Sequence, residues 1–245
     1  MKKLFTVTCL LTGFLSFGQP PVKMHSTSVN PLSNTLNVLN DRLATPMDDD
    51  AYIINGEEVL GFPFLYYSWN NGLVTTADGR TFSNYRLKYN IFNQTIFFSN
   101  GKDSLEASDP IKEFYLLIPE DKTQRKYTFI HSDQFKKEKN PFYYEVMADS
   151  ANWELLKVNR KAVVVTHNAL PVYQGKKVFQ LEATYFFYNK QAKKIIPVKN
   201  DWSLVSASLK LTKEDEARLN METFDFSKEP DIVSFFELFT RVKAF

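Results

Sequence analysis

From Asn84 to Ile91 the chain alternates. Tyr85, Leu87, Tyr89 and Ile91 interleave with Asn84, Arg86, Lys88 and Asn90. Successive side chains of a strand point to opposite sides, so this period of two sends Leu87 and Tyr89 to a core and Arg86 and Lys88 to solvent. Phe114, Leu116 and Ile118 repeat the pattern, as do Tyr127 with Phe129, then Phe142, Tyr144 and Val146. Leu181 to Tyr188 and Ile195 to Val198 read as later strands of the same kind. Asn71-Gly72, Asp78-Gly79 and Asn100-Gly101 accept positive φ, and each suits a tight hairpin turn. Short strands joined by such turns predict an antiparallel meander.

The period changes near the end. Thr212, followed by Lys213-Glu214-Asp215-Glu216, has the form of a capped helix start with acids in its first turn. Ser227 is placed to cap a last helix with Pro230 in its first turn. Ile232, Phe235, Phe236, Phe239 and Val242 then fall at helical spacing and form one apolar stripe, which would dock on the sheet. The expected fold is α+β: a curved or partly closed antiparallel meander of about 8–10 strands with two or three C-terminal helices.

The chain opens differently. Met1-Lys2-Lys3 precedes the uncharged, mostly apolar run Leu4 to Phe17, and Ser16-Phe17-Gly18 places small residues before Gln19. This has the form of a secretory signal peptide over residues 1–18. Residues 19–55, with Pro20, Pro21, Pro31 and Pro46 among polar residues, read as a flexible polar lead. Residues 56–245 read as one domain, β-rich over 56–200 and helical over 201–245.

That organisation changes the charge balance. Of 245 residues, Lys and Arg number 30 and Asp and Glu 28. Loss of residues 1–18 removes Lys2 and Lys3 and leaves a formally neutral chain. It also removes Cys9, the single cysteine, so the mature chain would hold neither a disulfide nor a thiolate site. Neutrality argues against nucleic acid, which calls for a clustered basic surface. No later stretch approaches the length of a membrane-spanning helix.

Candidate chemistry is sparse. His25, His131 and His167 show no metal-ligand spacing. His131-Ser132-Asp133 holds the residue types of an acyl-transfer triad, but triads are assembled in space, not in sequence. Asp48-Asp49-Asp50 with Asn55, Gly56, Glu57 and Glu58 misses the calcium-loop register. No phosphate-cradling glycine loop occurs, and no cofactor is expected. The excess is aromatic, at 15% of residues. Phe62, Phe64, Tyr66, Tyr67 and Trp69 cluster, and Tyr185-Phe186-Phe187-Tyr188 puts rings on both faces of one strand. Core packing is one reading of these rings. The other is a platform or lined cavity for a sugar, lipid or apolar partner.

The segment Asp78-Gly79-Arg80-Thr81 through Arg86-Leu87-Lys88-Tyr89-Asn90-Ile91 resembles the signature of an uncharacterised group of exported proteins from Bacteroidetes-type bacteria. In that group an aromatic segment similar to Phe62-Pro63-Phe64-Leu65-Tyr66 precedes it. Tyr144-Glu145-Val146, Trp153 to Lys157 and Glu229-Pro230-Asp231-Ile232-Val233 resemble its later stretches. The resemblance spans about Gly56 to Phe245, is specific at the Leu87-Lys88-Tyr89-Asn90 strand, and implies an exported protein without assigning an activity. Asp103-Ser104-Leu105 and Asp149-Ser150-Ala151 resemble the tripeptide at which such bacteria O-glycosylate exported proteins, which makes Ser104 and Ser150 candidate acceptors.

The resulting expectation is an exported, non-catalytic cell-envelope protein acting as a binding or assembly module. An envelope protein, a glycan or a lipid would be its partner. Phe62, Phe64, Tyr66, Tyr67, Trp69, Phe235 and Phe239 are the candidate contacts. The periplasm is the expected compartment, with the outer-membrane periphery or the extracellular space as alternatives. Two alternative functions stand beside it: a carrier of an apolar or lipid ligand inside the curved sheet, and an envelope enzyme of unrecognised type.

Overall fold

A computed structural model describes residues 51–243 except 102, 121–122 and 167–173. The expected signal peptide, most of the expected lead, His25 and His167 lie outside the described residues. The described strands are β1 (Ala51–Ile54), β2 (Glu57–Leu60), β3 (Asn70–Thr76), β4 (Thr81–Phe82), β5 (Arg86–Asn90), β6 (Thr95–Ser99), β7 (Ser104–Glu106), β8 (Ile111–Glu120), β9 (Thr123–His131), β10 (Tyr143–Asp149), β11 (Trp153–Val165), β12 (Lys177–Asn189) and β13 (Lys194–Pro197). Three helices follow: α1 (Trp202–Leu209), α2 (Lys213–Leu219) and α3 (Glu229–Val242). The fold is α+β, as the sequence predicts, with helices at the C-terminal end. β1 begins before the expected domain boundary at residue 56.

All 13 strands join one sheet, in the order β1-β2-β12-β11-β10-β9-β8-β3-β5-β6-β7, with β13 beside β12 and β4 beside β3. The sheet is larger than the expected 8–10 strands and it is mixed, because β2 runs parallel to β12. Strands β8 to β12 form the meander. The chain that precedes them is divided, with β1 and β2 on one flank and β3 to β7 on the other. Residues 61–69 carry it between the two. The sheet curls without closing: the Lys161 N–H donates to the Ile91 carbonyl at 3.2 Å, joining β11 to the end of β5, which is not its neighbour in the sheet.

Register defines two faces. Phe114, Phe129, Glu145, Lys157 and Tyr185 pair in one row across β8 to β12 and share the inner face. The curl fills this face with rings. Tyr89 meets Phe114, Phe129 and Tyr143 edge-on at 5.2–5.6 Å, and Phe114 stacks on Phe129 at 4.7 Å. Further along the same face, α3 lays Phe235, Phe236 and Phe239 over Phe187, and Trp153 meets Phe239 at 5.0 Å. The apolar stripe of the last helix therefore docks on the sheet.

Three local expectations need correction. Lys88 is not exposed: only 1% of its surface is accessible. Rings of the returning 61–69 segment cover what would have been the solvent face of β5, and the Lys88 Nζ lies 4.4 Å from the centre of Phe64. Asn71-Gly72 is no turn but part of β3. A Cβ at Gly72 would fall 2.1 Å from the Tyr115 carbonyl oxygen, so the glycine serves a close backbone approach. Ser227 does not cap α3. Its hydroxyl donates to Asp225 at 2.6 Å, and Lys228 occupies the cap position without a side-chain bond. Thr212 does cap α2, through the reciprocal bond with Asp215 that its spacing predicts.

Candidate functional site

The long β11–β12 hairpin brings together the features with chemical potential. Its inner face carries a polar row between two apolar clusters. The Glu145 carboxylate, 6% exposed, accepts from Asn159 Nδ2 at 2.6 Å. Across the strand pair, Lys157 donates to Glu229 at 2.7 Å, and the Tyr185 hydroxyl donates to the same oxygen at 2.6 Å. Glu229 is the first residue of α3, so this row fixes the helix entry to the sheet.

The two carboxyls are held apart in acidity. Burial raises Glu145, against the opposing pull of Lys157 and the Asn159 bond. Partial burial works to raise Glu229 too, but the bonds from Lys157 and Tyr185 outweigh it and hold that carboxyl below its usual value. Burial and the negative charge of Glu145 raise the Tyr66 phenol, which borders the row.

The outer face presents a groove. Phe142, Val158 and Phe186 form its apolar wall, and Arg160, Glu182 and Thr184 its polar side. Its volume is ≈ 270 Å³. Arg160 and Glu182 oppose each other in register, and the Arg160 guanidinium lies 4.6 Å from the centre of Phe142. The wall continues into five outward rings, where Phe135 meets Tyr144 and Tyr188, and Tyr144 meets Phe142 and Phe186, all at 4.8–5.5 Å. Within Tyr185 to Tyr188 the alternation of the strand thus divides the rings: Phe187 builds the helix-covered core, while Phe186 and Tyr188 build the outer cluster.

The contacts chosen from sequence scatter. Phe62 stacks its own chain's amine: Lys161 Nζ sits 3.7 Å from the ring centre and donates to the Phe62 carbonyl at 2.5 Å. Burial pushes that amine down to about 8. Phe64, Tyr67 and Trp69 surround Lys88, and Tyr66 packs on Tyr127 at 5.7 Å. Phe235 and Phe239 are buried at 0% and 1% exposure and offer no free face. Ser150 bonds the Trp153 carbonyl and amide across the β10–β11 turn, whereas Ser104 lies half-buried in β7.

His131, Ser132 and Asp133 are not aligned for acyl transfer. Ser132 Oγ accepts from the Phe142 amide at 3.2 Å, and His131 Nδ1 accepts from the Asp133 amide at 3.3 Å. Burial lowers the His131 imidazole, which packs on Tyr143. Among the described residues no group of three or more His, Cys, Asp or Glu could hold a metal ion, and no helix is long and apolar enough to cross a membrane.

Sequence reasoning missed Arg160, Glu182, Glu145 and Lys157. Arg160 and Glu182 sit 22 positions apart, and only the register of the hairpin pairs them. Alternation gives no signal here, because both arms interrupt it, β11 at Leu155-Leu156 and β12 at Tyr185 to Tyr188. No family model, no curated protein and no solved structure matches the chain.

Proposed function

We propose that this is an exported, non-catalytic cell-envelope protein acting as a binding or assembly module, with the β11–β12 hairpin as its recognition arm. The groove carries the reading. It is an open, two-character surface, apolar along Phe142 and Phe186 and hydrogen-bonding along Arg160, Glu182 and Thr184, the mixture by which a protein surface both holds and orients a partner. Export rests on residues 1–18 of the sequence. The carrier alternative has less support, because rings fill the curled interior. The cavity beside them, near Phe98 and Ile111, measures ≈ 20 Å³, about one water.

A second reading, an envelope enzyme, draws on the oppositely shifted Glu145 and Glu229, a division that acid–base pairs exploit. It is the lesser reading, since the bonds of Glu229 already serve to dock α3.

Photocrosslinking in cells tests the binding-module reading. With the crosslinking side chain at position 182, an adduct should form in the envelope fraction; at position 237, on the far side of α3, it should not. A protein confined to the cytoplasm, or equal labelling from both positions, would sink the proposal.

A further inference from the structure

The hairpin has a second feature, at its backbone edge, that shares Glu182 and Thr184 with the groove. Along its outer edge, β12 pairs with β2 only at Lys177 and Val178 and with β13 only from Phe186 to Asn189. Among the described residues no strand pairs with the stretch between them. The gap has two local causes. Gly61, at φ +88°, turns the chain away at the end of β2. Pro197 ends β13, and Asp201 starts α1 soon after.

Backbone direction in the gap follows from its ends. The Lys190 N–H donates to Asn152 toward β11, whereas the Tyr185 carbonyl accepts from Val198 on the far side. Peptide groups alternate along a strand, so those of Leu181 and Ala183 point out of the sheet into the gap. Residues Gln180 to Thr184 are all exposed, and Leu181 keeps 53% of its surface accessible. The side chains alternate too, with Leu181 and Ala183 on the inner face and Gln180, Glu182 and Thr184 on the outer. Asn159 and Lys161 of β11 lie across from Ala183 and Leu181.

We propose that this notch is a strand-acceptor site that takes an extended segment of a partner polypeptide. A row of outward N–H and C=O groups held between two fixed strands matches another backbone, and neither a sugar nor a lipid supplies that regular array. The alternation of the notch sets the partner's pattern: apolar residues beside Leu181 and Ala183, polar or basic ones beside Glu182. Unlike an open edge, the notch is bounded by β2 and β13, which limits the register of the guest strand. Two of the natural edge defences, proline and inward charge, are absent from Phe179 to Tyr185, where Glu182 is the one charged residue. This inference rests on the binding-module reading for its biological role, but its test uses purified protein, so the two fail separately.

The probe is a capped synthetic peptide of alternating threonine and valine, with a control peptide carrying proline at every second position. Amide hydrogen exchange is followed residue by residue. The probe should slow exchange at Leu181 and Ala183 by about tenfold or more, as a newly formed strand pair protects its amides, and the control should leave both unchanged. Ala183→Pro removes one outward donor while sparing the bonds to β11, so it should abolish the effect of the probe at Leu181. Unchanged exchange in the wild-type protein overturns the proposal without recourse to any variant. So does equal protection by the proline control. Sedimentation of the protein alone completes the test: a monomer is expected, and self-association lost in Ala183→Pro would make the occupant a second copy and overturn the proposal.

Discussion

The two ends of the β11–β12 hairpin share one unbroken register and differ in almost everything else. At the root, Leu155, Leu156 and Phe187 are 0% exposed, covered by α3 on one face and by the Phe142–Tyr144 cluster on the other. Toward the tip, Gln180 to Thr184 lie open. Pairing is continuous over all thirteen residues of each strand, so backbone hydrogen bonds cannot account for the contrast. Coverage of the faces does. The root is held by burial and serves stability; the exposed stretch is held by its register to the root and is left available for recognition.

Substitutions along the hairpin should therefore show a gradient. Phe187→Ala stands at the steep end, because it removes the ring on which Phe235, Phe236 and Phe239 converge. We expect a loss of about 3–5 kcal/mol in denaturant melts. A loss comparable to that of a surface change would mean that α3 is not part of the same cooperative unit.

Lys161 lies between the extremes and gives a pH signature. Its amine is depressed to about 8 from the usual 10.5. Between those values the unfolded chain binds the proton more readily than the folded one, so folding stability rises with pH across that window. Relative to Lys161→Met, the wild-type protein should gain roughly 1–3 kcal/mol from pH 7 to pH 10.5. Parallel pH profiles for the two proteins would show that Phe62 leaves the amine as well solvated as water does.

Glu229→Gln should cost about 1 kcal/mol, since the amide keeps a bond but loses the charge that faces Lys157. The loss should shrink as pH falls. Glu229 is held below its usual value, so its contribution is present above the ordinary carboxylate range and disappears through the folded pKa. A loss that stays constant down to low pH would assign it to packing instead. Smallest of all, Leu181→Thr should change stability by no more than about 0.5 kcal/mol. A large effect there would show that the notch is already covered, and would erase the contrast between root and tip.

The same contrast marks what the sequence could convey. Alternation placed Leu87 and Tyr89 in the core, and helical spacing placed Phe235 and Phe239 against the sheet, because one buried face imposes one period. Lys88 defeated the rule. Its strand is buried on both faces, the outer one by the rings of Phe64, Tyr67 and Trp69, and a period of two reports only one covered face. Gly72 misled for a related reason: a glycine needed for a close backbone approach looks, in sequence, like one needed for a turn. The groove and the notch were beyond reach. The first depends on Arg160 meeting Glu182, the second on where β2 leaves β12 and β13 joins it, and both are set by pairings between distant residues.

The parallel pairing of β2 with β12 has a temporal consequence. Val59 meets Lys177, and β3 meets β8 only after the intervening strands have been made. Strands β8 to β12 contact sequence neighbours and can assemble in the order in which they are made. The earlier strands pair among themselves, β1 with β2 and β3 through β5 and β6 to β7, but these two pieces have no place in the sheet until β12 and β8 exist. Loop closure over such separations is slow compared with closing a hairpin. Both early pieces can therefore form before the strands they dock on, and the Phe62 ring waits for Lys161 of β11. The hairpin β1–β2, although made first, thus takes its place in the sheet only with β12, so the order of docking departs from the order of synthesis.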